Sequence, residues 1–201
     1  MIKRNLLVMG LAVLLSACGF QLRGTGTNQL TLTELGLSAR NAYGDPVREL
    51  RQALESSGVK VTDNAPYKLV LTNEQESSRA ASYVGTNSSV EYELTKIWKY
   101  EIIGENNLPL LDSKIEAHKV YLQDGNNLSG STQEASMTRK EMTRDLVQQM
   151  LLRLSQLTPA RLAELQTVAD EKARAEAQAL EAARKAEAET PQQSPLELPN
   201  Q

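Results

Sequence analysis

The sequence holds few of the residues on which catalytic sites are most often built. Its 201 residues include one cysteine and one histidine. With Cys18 as the only cysteine, no disulfide can close within the chain. A glycine-rich phosphate loop, a His-x-x-x-His pair and a nucleophile elbow are all missing. His118 lies close to Glu116 and Lys119 on a predicted strand, a setting typical of a surface residue, so we predict that the protein is not an enzyme.

Positive charge is also scarce. Lysine and arginine together number 22 against 25 aspartates and glutamates, which gives a formal net charge of −3. Removal of Lys3 and Arg4 with a cleaved leader would make the mature chain more negative still. Because nucleic-acid binding depends on a basic footprint, we predict that the protein has no nucleic-acid partner.

The apolar run near the N-terminus is too short to be a stable membrane span. It covers residues 6–15, about half of the ~20 residues that a transmembrane helix needs. Lys3 and Arg4 precede it, and the small residues Ser16 and Ala17 follow it. A basic start, a short apolar core and a small-residue cleavage site predict a secretory signal peptide at residues 1–17.

Residues 15–18, Leu-Ser-Ala-Cys, resemble the lipobox of bacterial lipoproteins. In such proteins the signal peptidase cleaves before the cysteine once its thiol carries diacylglycerol. The resemblance implies that Cys18 bears diacylglycerol and an N-acyl chain, and several acyl chains together make a stable anchor. Gly19 replaces the aspartate that retains such proteins in the inner membrane, so the expected location is the outer membrane, facing the periplasm. We predict no other cofactor and no metal.

Apolar and polar residues alternate or recur at helical spacing across residues 30–157, which predicts one globular domain. The alternation is clearest from Val90 to Ile103, where Leu94 and Trp98 point to one face and Glu93 and Lys99 to the other. Polar stretches are expected to form loops. The predicted elements are strands at 30–37, 67–72, 90–103 and 110–122, a helix from Asp45 to Gly58, a helix opening at the capping box of residues 138–141, and loops at 73–89 and 123–133.

This order predicts an α+β fold with a small four-stranded, mostly antiparallel sheet and two helices packed on one face. The flanks differ in composition from the domain. We predict that residues 18–29 form a strap between the lipid and the domain, that residues 158–189 form an Ala/Glu-rich helix in solvent, and that residues 190–201 form a disordered Pro- and Gln-rich tail.

Residues 18–23, Cys-Gly-Phe-Gln-Leu-Arg, resemble the mature N-terminus of the lipopolysaccharide-assembly lipoproteins of the LptE family. Val90-Glu91-Tyr92 and Lys140-Glu141-Met142 are also similar to patterns of that family. The order strand, helix, three strands, helix is the same, so the resemblance covers about residues 1–157. It implies a lipoprotein that plugs and helps to assemble the LptD translocon barrel, and that binds lipopolysaccharide during its delivery to the cell surface.

The family uses basic residues toward phosphorylated lipid A, in the loop before the long strand and near the last helix. Gly85 and Ser131 occupy about those places here and carry no charge. Arg79, Lys99 and Lys119 are therefore the candidate lipopolysaccharide-binding residues, since both side-chain types bind phosphate. The alternative for each is an ordinary solvated residue.

Two other functions remain open from the sequence. The Ala/Glu-rich tail favours an outer-membrane tether or scaffold that links envelope components. An envelope hydrolase would have to depend on His118, for which no nucleophile partner is evident.

Overall fold

The computed structural model describes residues 30–84 and 89–189. The predicted signal peptide, Cys18, the strap up to residue 29, and the tail from residue 190 lie outside the described residues. The elements, in chain order, are β1 Glu34–Ala39, α1 Asp45–Ser56, β2 Lys60–Val61, β3 Lys68–Val84, β4 Ser89–Ile103, a 3₁₀ turn at Glu105–Asn107, β5 Pro109–Asp124, α2 Leu128–Ser155 and α3 Pro159–Glu189.

The strands form one five-stranded sheet in the order β2-β1-β3-β4-β5. Strand β1 runs parallel to both β2 and β3, whereas β4 is antiparallel to its two neighbours, β3 and β5. The α+β class is confirmed. The four-stranded, mostly antiparallel sheet with two packed helices needs correction, because the sheet is mixed, β2 was missed, and α3, predicted as a helix in solvent, packs on the domain in its first half. A strand of two residues leaves no alternation that a sequence pattern could register.

The predicted loop at residues 73–89 is wrong over most of its length. Strand β3 continues through this polar stretch to Val84, and its backbone pairs with β4 as far as Val84 opposite Ser89. The pairing satisfies the backbone polar groups of β3 whatever its side chains are, so a serine-rich strand is stable here. Arg79 consequently lies on a strand, while Gly85 falls outside the described residues.

Helix α1 is confirmed at its predicted place, although Gly44 is the cap and Asp45 lies in the first turn. Its buried residues are Val47, Leu50 and Leu54, at the spacing of a single helical face. Gly58 has a φ of 85°, the left-handed conformation that glycine adopts freely just after a helix.

Helix α2 begins at Leu128, well before the predicted capping box. The side chain of Asn127 caps it, since its Oδ1 accepts a hydrogen bond of 3.0 Å from the Gly130 N–H. Thr138 lies inside the helix and donates its hydroxyl to the Glu134 carbonyl at 2.9 Å. The predicted loop at 123–133 is thus wrong apart from a short turn before Leu128. Threonine followed by glutamate three residues on fits a cap, but it is equally compatible with a helix interior when the hydroxyl bonds to a preceding carbonyl.

The core lies between one face of the sheet and helices α1 and α2. The alternation predicted for β4 is confirmed, because the side chains expected to pack are the buried ones. They meet the apolar stripe of α2. The fully or almost fully buried residues of these two elements are Leu94, Trp98, Tyr100, Ile102, Met142, Leu146, Met150 and Leu154.

Helix α3 packs on the domain through its first half. Leu162 is buried, and Gln166 accepts a 2.9 Å hydrogen bond from the Glu105 N–H at the β4–β5 turn. Every residue from 174 to 189 is exposed. At about 1.5 Å per residue, the helix is on the order of 45 Å long, so its second half projects beyond the domain. Within the described residues, no helix combines the length and apolarity needed to cross a bilayer.

Two leucines of α2 test this account of the core. We expect Leu146→Ala to lower the free energy of unfolding by about 2–5 kcal/mol, because a fully buried leucine leaves a cavity when it is truncated. Leu152 is 54% exposed on the same helix, and its change to alanine should stay within about 0.5 kcal/mol. Urea unfolding of both variants measures the difference, and equal losses would contradict the assigned orientation of α2.

Candidate functional site

The sheet has one face packed on helices and one face that no described helix covers over β3, β4 and β5. We call the second the open face, formed by Gln75, Ser77, Arg79, Glu93, Thr95, Ile97, Lys99, Lys114, Glu116, His118 and Val120. Strand β5 shows the division most clearly, since Ile115 and Ala117 are buried while Glu116 and His118 are exposed. Successive side chains of a strand point to opposite faces, so the division follows from the strand register.

Polar side chains bond to one another across the open face. The Arg79 Nε donates to Glu93 Oε2 at 2.8 Å. Thr95 Oγ1 lies 3.1 Å from His118 Nδ1. Lys114 Nζ donates to Glu116 Oε2 at 3.1 Å, and this hydrogen bond holds the pKa of the Glu116 carboxyl below its ordinary value. The open face is therefore a broad, hydrogen-bonded polar surface.

His118 occupies this surface on the edge strand β5. Its Nδ1 is 3.8 Å from Glu93 and its Nε2 is 3.7 Å from Glu116, and the side chain is 51% exposed. Across the described ranges, residues of the types His, Cys, Asp and Glu form no group of three that could hold a metal ion. The surroundings are those of a solvated polar residue.

Lys119 faces the opposite way from Arg79. It points toward α2, where its Nζ lies 3.3 Å from Asp145 Oδ2 and 3.4 Å from Glu141 Oε2. The hydrogen bond to Asp145, followed by the one to Glu141, raises the pKa of the Lys119 ammonium. Arg79 pairs with Glu93 on the open face, whereas Lys119 lies on the other face of the sheet. The structure therefore does not bring Arg79 and Lys119 together.

Lys99 lies on the open face between Asn73 of β3 and Lys114 of β5. It is exposed, and no ion pair to it is found among residues 30–84 and 89–189. Six residues separate it along β4 from Glu93, the partner of Arg79, a distance of roughly 20 Å at 3.3 Å per residue. The three candidates thus occupy three separate places, two of them on the open face.

Sequence analysis missed a cluster that joins the sheet to α2, which we call the charged seam: Glu76, Lys96, Arg139 and Thr143. The Nζ of Lys96 donates to Thr143 Oγ1 at 2.9 Å and lies 3.6 Å from Glu76 Oε2, with the side chain only 13% exposed. Arg139 Nε donates to Glu76 Oε1 at 2.6 Å. The available signal was Lys96 itself, a charged residue at a core-facing place between Leu94 and Trp98.

Ser131 has a structural role at the turn between β5 and α2. Its hydroxyl donates to the Asn127 carbonyl at 3.0 Å and accepts from the Asp124 N–H at 2.8 Å. A cavity of about 210 Å³ lies beside it, against Tyr121 and Leu128. The side chain has no charge to offer a phosphate.

A groove of about 480 Å³ separates α1 from α2 on the outside of the helix layer. Its floor is apolar, made of Ala53, Val147 and Leu151, and its rims carry polar residues such as Gln52 and Gln148. The groove is remote from the open face, since the helix layer lies between them.

Comparison with known proteins gives a consistent result. The family model LptE, described as lipopolysaccharide-assembly, matches residues 32–154, more than half of the chain. The LPS-assembly lipoproteins LptE of Pectobacterium atrosepticum and Yersinia pestis are each 28% identical to it over 155 residues. Each alignment covers 74% of this chain, with 83% of the Pectobacterium protein and 73% of the Yersinia protein.

Two solved structures share the fold. A minor lipoprotein from Acinetobacter baumannii has a TM-score of 0.54 at 19% identity, over 61% of this chain and 90% of that one. An uncharacterized lipoprotein B from Nitrosomonas europaea has a TM-score of 0.54 at 22% identity, over 73% of this chain and 96% of that one. At these identities the likeness concerns the fold.

The charged seam and the open face predict different roles for two neighbouring lysines. We expect Lys96→Ala to lower the free energy of unfolding by about 1–3 kcal/mol, because buried Thr143 and the carboxylate of Glu76 both lose the charged donor that joins them. Lys99→Ala, which removes an exposed side chain, should change it by no more than about 0.5 kcal/mol. Urea unfolding of the two variants checks this, and an equal effect would show that the seam does not hold the sheet to α2.

Proposed function

Because the chain belongs to the LptE family of lipopolysaccharide-assembly proteins, we propose that it is an outer-membrane lipoprotein that plugs a translocon barrel of the LptD type. In this role it assists assembly of the barrel and binds lipopolysaccharide during delivery to the cell surface. The work is that of a binding and structural protein, with no catalytic step.

The observation that carries the plug is the long sheet with its polar open face. Strands β3, β4 and β5 have 17, 15 and 16 residues, which corresponds to about 50 Å at 3.3 Å per residue. This exceeds the ~30 Å thickness of the hydrocarbon layer, so the sheet is long enough to follow a barrel lumen across the membrane. The inward face of such a barrel is polar, and the Arg79–Glu93 and Lys114–Glu116 pairs of the open face suit a polar wall or channel.

The anchor is the part of the proposal that depends on residues outside those described. Cleavage before Cys18 and acylation of its thiol would leave residues 19–29 as the strap to Leu30. The acyl chains in the periplasmic leaflet would hold the domain beside the barrel mouth, because several chains bind a bilayer far more strongly than one.

We propose that the glycolipid binds through its phosphates to basic side chains of the domain. Lys99 is the most available, since it is exposed and unpaired in the described parts of the chain. Arg79 is 77% exposed and holds Glu93 through a surface pair, which is weak enough to be exchanged for a phosphate. Lys119 would first have to leave Asp145 and Glu141, so we expect it to contribute least.

One observation favours a second function, a tether between envelope components. Helix α3 projects from the domain and is exposed at every residue from 174 to 189. A stiff, charged helix followed by further chain could reach a distant partner. In that case the tail, rather than the open face, would carry the function.

Affinity purification of the lipidated full chain from detergent-solubilised envelopes tests the plug. We expect a large β-barrel protein to be recovered in equal molar amount, identified by its mass, because a plug is enclosed by its partner. Recovery of the chain alone, or with peptidoglycan-associated proteins only, would contradict the proposal.

Deletion of residues 177–201 is the matched control, since it removes the projecting half of α3 and leaves Leu162 and Gln166 in place. A plug should retain its barrel at unchanged yield after this deletion. A tether should lose its partner.

Loss of charge on the open face should weaken lipopolysaccharide binding. We expect the double variant Arg79→Gln, Lys99→Gln to lower affinity by about tenfold or more, since a hydrogen bond to a charged group contributes about 1.5–3 kcal/mol. Titration at fixed ionic strength measures the affinity, because salt screens such contacts. Lys185→Gln on α3 and Lys119→Gln serve as controls with smaller expected effects, and an unchanged affinity in the double variant would remove these residues from the binding site.

A further inference from the structure

The groove between α1 and α2 has the chemistry of a site for an extended peptide segment. Its floor is formed by Val147, which is buried, and by Ala53 and Leu151, which are partly buried and pack on the core. Glu49 and Arg144 stand on opposite rims. An apolar floor takes alternate side chains of an extended segment, and polar rims can bond to its backbone, which must find partners for its N–H and C=O groups.

The chain enters the fold beside one end of this groove. Leu30, the first described residue, packs on the core. The Thr33 carbonyl accepts a 2.9 Å hydrogen bond from the Lys60 N–H, and the Val59 N–H donates to the Leu54 carbonyl near the end of α1 at 3.1 Å. The groove is lined as far as Ser56 at that same end of α1, so the first described residues, up to Thr33, precede β1 at the Ser56 end of the groove.

The length and the sequence pattern of residues 19–29 both suit the groove. Residues 19–29 can extend by as much as about 35 Å, whereas Glu49 to Ser56 spans roughly 10 Å along α1. In an extended chain Phe20 and Leu22 point to one side, and Gln21 and Arg23 to the other.

We propose that residues 19–23, which directly follow the predicted lipid-bearing cysteine, dock in the groove between α1 and α2. Phe20 and Leu22 pack on the floor, and Arg23 faces the rim that carries Glu49. The inference rests on cleavage before Cys18 and is independent of barrel binding. Its consequence is geometric, because the acyl chains of Cys18 are then held against the helix layer instead of moving on a long tether. The anchor then lies on the side of the domain opposite to the open face.

Disulfide trapping in the full chain, expressed and lipidated in the envelope, tests the docking. The variant Leu22→Cys, Leu151→Cys places a thiol on the segment and one on the floor, while acylation removes the Cys18 thiol from reaction. Its control is Leu22→Cys, Leu152→Cys, whose second thiol sits on the neighbouring residue, 54% exposed and outside the groove lining. Disulfides need Cα atoms within about 7 Å of each other, so we expect roughly tenfold more cross-linked peptide from the first pair, measured by mass spectrometry after oxidation with copper phenanthroline.

A second pair guards against disturbance of the floor by Leu151→Cys. Phe20→Cys with Gln52→Cys uses an exposed rim residue, and Phe20→Cys with Arg51→Cys is its control. Preferential trapping at Gln52 supports the docking even if Leu151→Cys unfolds. Equal yields in both comparisons would overturn it, and so would disulfides formed only between two copies of the chain, which would assign the groove to a second molecule. Barrel co-purification from the same cells reports separately on the plug.

Discussion

The antiparallel pairing of β3, β4 and β5 is the constraint on which the rest of the structure depends. Each strand presents alternate residues to two faces, so a single register decides which side chains meet helices and which meet solvent. Leu94 and Trp98 are buried for the same geometric reason that Lys99 is exposed. The helices cover one face only, and Lys96 and Lys119 point to that face. Their partners Thr143, Glu141 and Asp145 lie on α2, so these contacts attach α2 to the sheet.

The elements predicted correctly are those that local sequence determines. In α1, Pro46 opens the helix, Gly58 follows its end, and Val47, Leu50 and Leu54 form one face without reference to anything distant. The sequence of residues 73–84 does not indicate a strand by itself. Its side chains are polar on both faces, and a polar stretch of this kind is typical of a loop. This strand exists through pairing with β4, a contact between segments far apart in sequence. The start of α2 was predicted too late for a different reason. Thr138 and Glu141 match a capping box, but the side chain that caps the helix is that of Asn127.

The candidate cations could be named from the sequence but not sorted. The alternation of β4 already places Lys99 on the more polar face, but the faces of Arg79 and Lys119 follow only from the pairing of β3 and β5 with β4. Arg79 lies between two irregularities of the β3–β4 pairing, at Leu71/Asn73 and Ala80/Ser82, which have no sequence signature. In the folded sheet Lys119 pairs with Asp145 and Glu141, Arg79 pairs with Glu93, and Lys99 has no ion pair among the described residues. The availability of a cation is thus a property of the fold rather than of the residue type.

Charge also limits how a chain of this composition can recognise a polyanionic glycolipid. The net charge is −3, so the average field around the domain repels phosphate, and attraction must come from a local arrangement of cations. Carboxylates already pair with Lys96, Lys119 and Arg139 on the helix side, whereas Lys99 on the open face has no ion pair among the described residues. A domain that is polar on its exposed faces and anchored by its helix layer would present this side to whatever passes through the barrel. The pairs of Lys119 and Arg139 therefore fasten α2 to the sheet, and on the proposed function Lys99 and Arg79 are the cations that the open face offers to a phosphate.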